Sequence, residues 1–186
     1  MISRRRFAGA AGAWLIMGSA GAAAQEGVFL RAEESPRVLF PEATDTEERS
    51  VAGTPEVQQK VRALLGRPPT VWEGAYRIFT VKRGSALLGF VVVVEEIGKH
   101  RPITYAVAVK PDGTAHDAAV LAYREAYGGE VRERRFLRQY AGKRLADPLR
   151  PYQDIRNISG ATLSVEATGR AVKKAIAVLK ATGELP

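Results

Sequence analysis

Ala86-Leu87-Leu88-Gly89-Phe90-Val91-Val92-Val93-Val94 is the stretch that decides the architecture. It is uncharged, rich in β-branched residues and too apolar for an exposed edge, so it predicts an interior β-strand. Just before it, Tyr76 to Val81 alternates in polarity and turns into it through Lys82-Arg83-Gly84-Ser85. After it, Ile103 to Val109 reads as a third strand, closed by Pro111-Asp112-Gly113, where proline presets φ and glycine permits a positive one. Ala118 to Tyr123 makes a fourth. Successive strands at such short spacing predict an antiparallel sheet rather than βαβ units.

Helical patterns flank this core. Thr54-Pro55-Glu56 combines a capping hydroxyl, a proline in the first turn and an acid against the positive helix end. Val57, Val61, Leu64 and Leu65 then share a face, and Gly66, Pro68 and Pro69 stop the helix. Glu130 to Tyr140 groups Val131, Phe136, Leu137 and Tyr140, with Gly142 as its end. Ser164 to Thr182 is the longest periodic segment, with Val165, Thr168, Val172, Ile176 and Leu179 inside and Arg170, Lys173, Lys174 and Lys180 outside. The expected fold is α+β: an antiparallel sheet of about four or more strands, covered on one face by helices. Residues 25–52 are acidic, carry Pro36 and Pro41 and lack periodicity, so they predict a loosely structured lead-in with one short strand near Val38. Residues 53–186 form the domain proper.

Composition narrows the chemistry. Of 186 residues, 46% are apolar and 26% charged, an ordinary globular balance that excludes disordered, collagen-like and multi-pass membrane chains. Cysteine is absent, which removes disulfides, iron–sulfur clusters, thiolate zinc sites, haem attachment and cysteine nucleophiles together. With only His100 and His116, a histidine-rich metal site is not expected. No Gly-x-Ser-x-Gly elbow supports a hydrolase. The formal charge is +8. The basic cluster Arg132, Arg134, Arg135, Arg138, Lys143, Arg144 and Arg150 reads mainly as a solvated surface; an anionic partner is its other reading. Nucleic acid is not an expected partner, because no aromatic-rich RNP-type segment or zinc module accompanies the charge.

The chain opens Met1-Ile2-Ser3-Arg4-Arg5-Arg6-Phe7, continues through an apolar run interrupted by Gly9, Gly12, Gly18 and Gly21, and reaches Ala22-Ala23-Ala24. A charged start, an apolar middle and an Ala-x-Ala site predict an export signal over residues 1–24. Ser-Arg-Arg-Arg-Phe is similar to the twin-arginine motif. The expected location is the periplasm; an uncleaved signal would instead leave the domain tethered to the membrane. Removing the leader takes Arg4, Arg5 and Arg6 with it and lowers the charge to about +5.

Between the last two helical segments lies Pro151-Tyr152-Gln153-Asp154-Ile155-Arg156-Asn157-Ile158-Ser159-Gly160-Ala161-Thr162-Leu163-Ser164. Small and hydroxylated residues before a helix make an anion site, because free backbone N–H groups and the positive end of the helix dipole converge there. Ser159, Thr162 and Ser164 would add donors, while Gly160 and Ala161 would let a ligand approach the backbone. The same residues also fit an ordinary loop in which Ser164 caps the helix.

Ser159-Gly160-Ala161-Thr162-Leu163-Ser164 resembles the flavinylation motif of the FMN-binding domain family, whose members include the covalent-flavin subunits of sodium-translocating NADH:quinone reductase and Rnf-type complexes. The resemblance extends upstream through Leu121 to Glu130, Phe136, Gln139 and Gly142-Lys143, and downstream through Val165 to Leu179, covering residues 87 to 180. It implies that FMN is held covalently on Thr162 as a phosphodiester, placed there from FAD by a flavin transferase. It also implies that Leu163 and the turn containing Glu125, Tyr127 and Gly128 flank the flavin ring; packing is an equal reading for Tyr127. The sequence departs from the family pattern where many members carry an acid: Arg156 and Asn157 stand there, and the nearest acid is Asp154. The implied role is an exported electron carrier between a membrane oxidoreductase and an extracytoplasmic acceptor, with no substrate of its own. The other reading is a non-redox accessory or binding module that keeps the fold without flavin.

Overall fold

The computed structural model describes residues 27–186, so the leader read over residues 1–24 lies outside the described residues. Two short elements come first, β1 (Gly27–Val28) and α1 (Ser35–Leu39), then β2 (Asp45–Ala52) and α2 (Pro55–Leu65). Four long strands follow: β3 (Ala75–Arg83), β4 (Ala86–Ile97), β5 (Pro102–Val109) and β6 (Ala115–Tyr123). After a helical turn, α3 (Arg134–Leu137), and a long connection, α4 (Thr162–Ala181) completes the fold. The strands form one six-stranded sheet ordered β1-β6-β5-β4-β3-β2, and every neighbouring pair is antiparallel.

Period-2 alternation sorts the side chains of this sheet between two cores. Tyr76, Ile78, Val92, Val94, Tyr105 and Val107 join the larger one, with α4 and Val61 of α2. Phe79, Val81, Val91, Ala106 and Ala108 face the other way and meet Leu39 and Phe40 from the end of α1. The sheet is therefore covered on both faces, not on one as the helical pattern alone suggests.

The second cover comes from the segment expected to be loose. Val38 lies in α1, not in a strand: Pro36 occupies the first helical turn, where its missing N–H costs nothing, and the Ser35 hydroxyl donates to Ala32 O at 2.7 Å. Residues 45–52 form the edge strand β2, registered on β3 from Asp45 opposite Lys82 to Ala52 opposite Ala75. Its exposed Glu47, Glu48 and Arg49 hide the alternation that would mark a strand. The helix expected over 130–140 is interrupted: Glu133 adopts φ −66, ψ 130 between a 3₁₀ turn at Gly129–Arg132 and α3. Val131, Phe136, Leu137 and Tyr140 are nevertheless all buried.

Helix α4 is the centre of the larger core, with 14 of its 20 residues buried, so it is enclosed rather than merely amphipathic. Lys174, read from its periodicity as outward, is fully buried. Its ammonium donates to Val71 O at 2.6 Å, Glu73 Oε1 at 2.8 Å and Glu95 O at 2.9 Å, which satisfies all three donors. Burial pushes the Glu73 carboxyl above its ordinary range, against the opposing pull of Lys174. Removing one member of a buried ion pair strands the other, so Lys174→Ala is expected to lower the unfolding free energy by about 3–5 kcal/mol. Urea denaturation will measure this, and Lys174→Met/Glu73→Gln should regain part of the loss because it removes both charges.

Candidate functional site

Thr162 is the first residue of α4, two residues earlier than the periodicity implied, and Ala161 occupies the N-cap position. No side chain caps this helix. Ala161 N–H is used by Ile158 O at 3.0 Å, so the amides left open at the helix start are those of Thr162, Leu163 and Ser164. They carry the positive end of a 20-residue helix. Gly160 precedes them at φ 79, and the space where a Cβ would stand is open. Ser159 and Leu163 are exposed and Ala161 is buried.

Ser164 does not cap the helix. It is buried one turn in, and its hydroxyl lies 3.0 Å from the Tyr123 hydroxyl at the end of β6. Tyr123 donates its own proton to the carbonyl of Tyr127, so Ser164 donates to Tyr123. Two more tyrosines hold the same end of α4. Tyr105 of β5 lies 3.2 Å from Thr168 Oγ1, whose proton goes to Ser164 O at 2.9 Å, and Tyr140 donates to Val165 O at 3.3 Å. Burial pushes all three phenols above the ordinary tyrosine range, so they stay protonated and keep donating.

The turn after β6 is joined to this helix start. Gly128 adopts φ 82, and a Cβ there would lie 2.9 Å from Ser164 Oγ, 3.0 Å from Tyr123 Oη and 3.2 Å from Ala161 Cβ. Glycine is thus required both by conformation and by space. Tyr127 is 84% exposed and Tyr152, at φ 64, is 80% exposed. A shallow depression of about 680 Å³ lies beside the turn, bounded by Tyr123, Tyr127, Gly128 and Arg132 and by Phe29 just after β1. Arg132 sits 4.1 Å over the Phe29 ring and 5.8 Å from that of Tyr123. Phe29, in the segment read as a lead-in, had no periodicity to signal it.

Glu125 borders the same depression, and one of its carboxylate oxygens is committed to a neighbouring turn. Its Oε1 accepts from the backbone N–H groups of Lys99 at 2.5 Å, His100 at 2.6 Å and Arg101 at 2.9 Å, so it pins the turn between β4 and β5. Burial works against its ionisation, but those three donors outweigh burial and hold the carboxyl below its ordinary range. Asp154 is likewise structural: it accepts from Arg150 N–H and Lys143 Nζ, both at 3.0 Å, and shapes the connection leading to the site. Asn157 is the residue sequence reasoning undervalued. Its Nδ2 donates to Thr162 Oγ1 at 2.9 Å and to the Tyr152 hydroxyl at 2.6 Å, while its Oδ1 is buried without a partner among the described residues. Only its place in the motif, where an acid is usual, could have drawn attention to it.

These contacts set two expectations. Gly128→Ala should destabilise the fold by roughly 1–3 kcal/mol in thermal or chemical denaturation, from the strained φ and the crowding at Ser164. Because the folded-state pKa of Glu125 is lowered, its contribution is present above the ordinary glutamate range and is lost as pH falls through the lowered value. Glu125→Gln should therefore show a smaller fall in Tm than the wild-type chain between about pH 7 and about pH 3.

Residues 98–177 match the family model of the FMN-binding domain. The match runs from the turn that Glu125 pins through Thr162 and most of α4. No curated protein matches the sequence. Among solved structures, the fold is similar to the crystal structure of Shewanella oneidensis NqrC, with a TM-score of 0.55 at 18% sequence identity over 78% of this chain and 84% of that one. The motif at the start of α4 and the turn packed against it both lie within residues 98–177, the stretch of this chain that is similar to the FMN-binding domain family.

Proposed function

We propose that the chain carries FMN covalently on Thr162 and works as an exported electron carrier, exchanging electrons with a membrane redox complex and an extracytoplasmic acceptor. The observation that carries this reading is the position of Thr162: a hydroxyl at the first residue of an uncapped helix, beside three open amides and within the Ser159–Ser164 motif. The residues present fit the group. A phosphodiester keeps one negative charge, which amides at a helix start stabilise by about 0.3–1 kcal/mol in an exposed setting. Gly160 leaves room for the phosphate, and the exposed rings of Tyr127 and Tyr152 with Leu163 offer apolar contact to a flavin.

When bound, FMN supplies one- and two-electron transfer that no side chain here can perform. The chain itself presents, orients and anchors. Asn157 donates to Thr162 Oγ1 and so leaves the hydroxyl proton free to depart were that oxygen to bond to phosphorus, with the pyrophosphate bond of FAD breaking and AMP as the leaving group. The amides of Thr162, Leu163 and Ser164 would meet the phosphate charge, and the tyrosines behind α4 keep that cradle from shifting. A flavin transferase acting on FAD would supply the FMN, and the export-signal pattern read over residues 1–24 supports a periplasmic location. Covalent attachment suits that compartment, because a dissociated cofactor would not be replaced from a free pool.

Co-expression with a flavin transferase, followed by denaturation, is expected to yield yellow protein heavier than the bare chain by one FMN less water. Thr162→Ala should abolish the adduct. Colourless, unmodified protein recovered under the same conditions would leave only a non-redox binding module on this fold.

A further inference from the structure

A second site lies on the other side of the fold's long helix, away from the turn after β6. Between the end of α2, the middle of α4 and the connection at 148–150 is a cavity of about 490 Å³. Four cations line it, Arg67, Arg150, Arg170 and Lys173, against two carboxylates, Glu96 and Glu166. Arg170 engages both acids: its guanidinium is 3.0 Å from Glu96 and 3.9 Å from Glu166, and it also donates to Ile97 O. Glu96 is further held by the Thr70 hydroxyl at 2.6 Å. Among the described residues, the side chains of Arg67, Arg150 and Lys173 form no ion pair or hydrogen bond.

The backbone that brings these cations together is built at a cost. Leu149 adopts φ 52, which a branched side chain rarely takes, and its carbonyl would lie 2.0 Å from a Cβ on Gly169. Only glycine at 169 lets the connection press onto α4 at that point, and the next residue is Arg150. Asp154, bonded to Arg150 N–H, fixes the loop in this shape. Lys173 is half-buried; burial and then the neighbouring guanidinium groups of Arg150 and Arg67 hold its ammonium below the ordinary range, with Asp154 and Asp147 opposing. Like charges gathered against this resistance are relieved by an anion. The cavity also has an apolar side, contributed by Leu65, Pro68 and Pro148.

We propose that Arg67, Arg150 and Lys173 form a binding site for a small dianion on a partly apolar body, an organic dicarboxylate or a phosphomonoester. The volume falls within the range of small-molecule sites. The helix rise puts Lys173 roughly 16 Å along α4 from Thr162, so the site does not depend on the flavin reading.

Calorimetric titration of the full chain with phthalate and with phenyl phosphate tests this, with uncharged benzamide as the control. At least one dianion should bind saturably and raise Tm, and the pair of probes distinguishes carboxylate from phosphate. Arg67→Ala and Arg150→Ala should each weaken binding roughly tenfold or more, as expected for a lost charge-assisted contact. Arg150→Ala/Lys173→Met should abolish it, and Glu166→Gln should tighten it by removing a carboxylate from the rim. All of this should hold in a Thr162→Ala background, which separates the result from flavin attachment. Failure of both dianions to saturate, equal binding of benzamide, or affinities unchanged by the cation substitutions would each overturn the proposal. So would binding confined to vesicles of anionic lipid.

Discussion

The hydrogen bond between Ser164 and Tyr123 is the joint on which the candidate site depends. It couples the start of α4 to the end of β6, and Tyr123 passes its own proton to Tyr127 O, so the following turn is held by the same atom. A helix start is useful to an anion only if its amides stay aimed, and an uncapped end would ordinarily fray. Here the first two turns are restrained from behind by Tyr105, Tyr123 and Tyr140, three buried phenols whose protons are hard to remove. The front of the helix is then free to serve a ligand because the back does the holding.

The fold was legible wherever alternation or a β-branched run dominated. Residues 86–94 announced an interior strand, and the turn at Pro111-Asp112-Gly113 announced its neighbours; the antiparallel α+β arrangement followed. What stayed hidden has a common cause: tertiary contacts that leave no periodic trace. β2 looks like an acidic loop because an edge strand facing water needs no apolar side. Lys174 looks like a surface lysine because nothing local in the sequence marks Val71 O, Glu73 and Glu95 O as its partners. Leu39 and Phe40 cover the sheet's second face from a segment too short to show a pattern.

At the candidate site, the motif singled out Thr162 and its neighbours, and the turn residue Gly128 packs against the same helix start. The motif could not distribute the roles. Glu125 serves the turn between β4 and β5, Asp154 serves the connection before the motif, and Asn157 is the side chain that reaches Thr162 Oγ1. Asn157 at an otherwise acidic position is chemically consistent: an amide can donate to the hydroxyl oxygen, whereas an ionised carboxylate can only accept. Ser164 illustrates the opposite failing, since a hydroxyl near a helix start suggests a cap until its burial shows that it faces the sheet.

The charged rim of β2 has a consequence for the molecule's life among others of its kind. A neighbouring copy that tried to continue the sheet would have to strip water from Glu47, Glu48 and Arg49 while matching its backbone to that strand. Stacking into cross-β aggregates is discouraged at this margin by electrostatics rather than by a covering element.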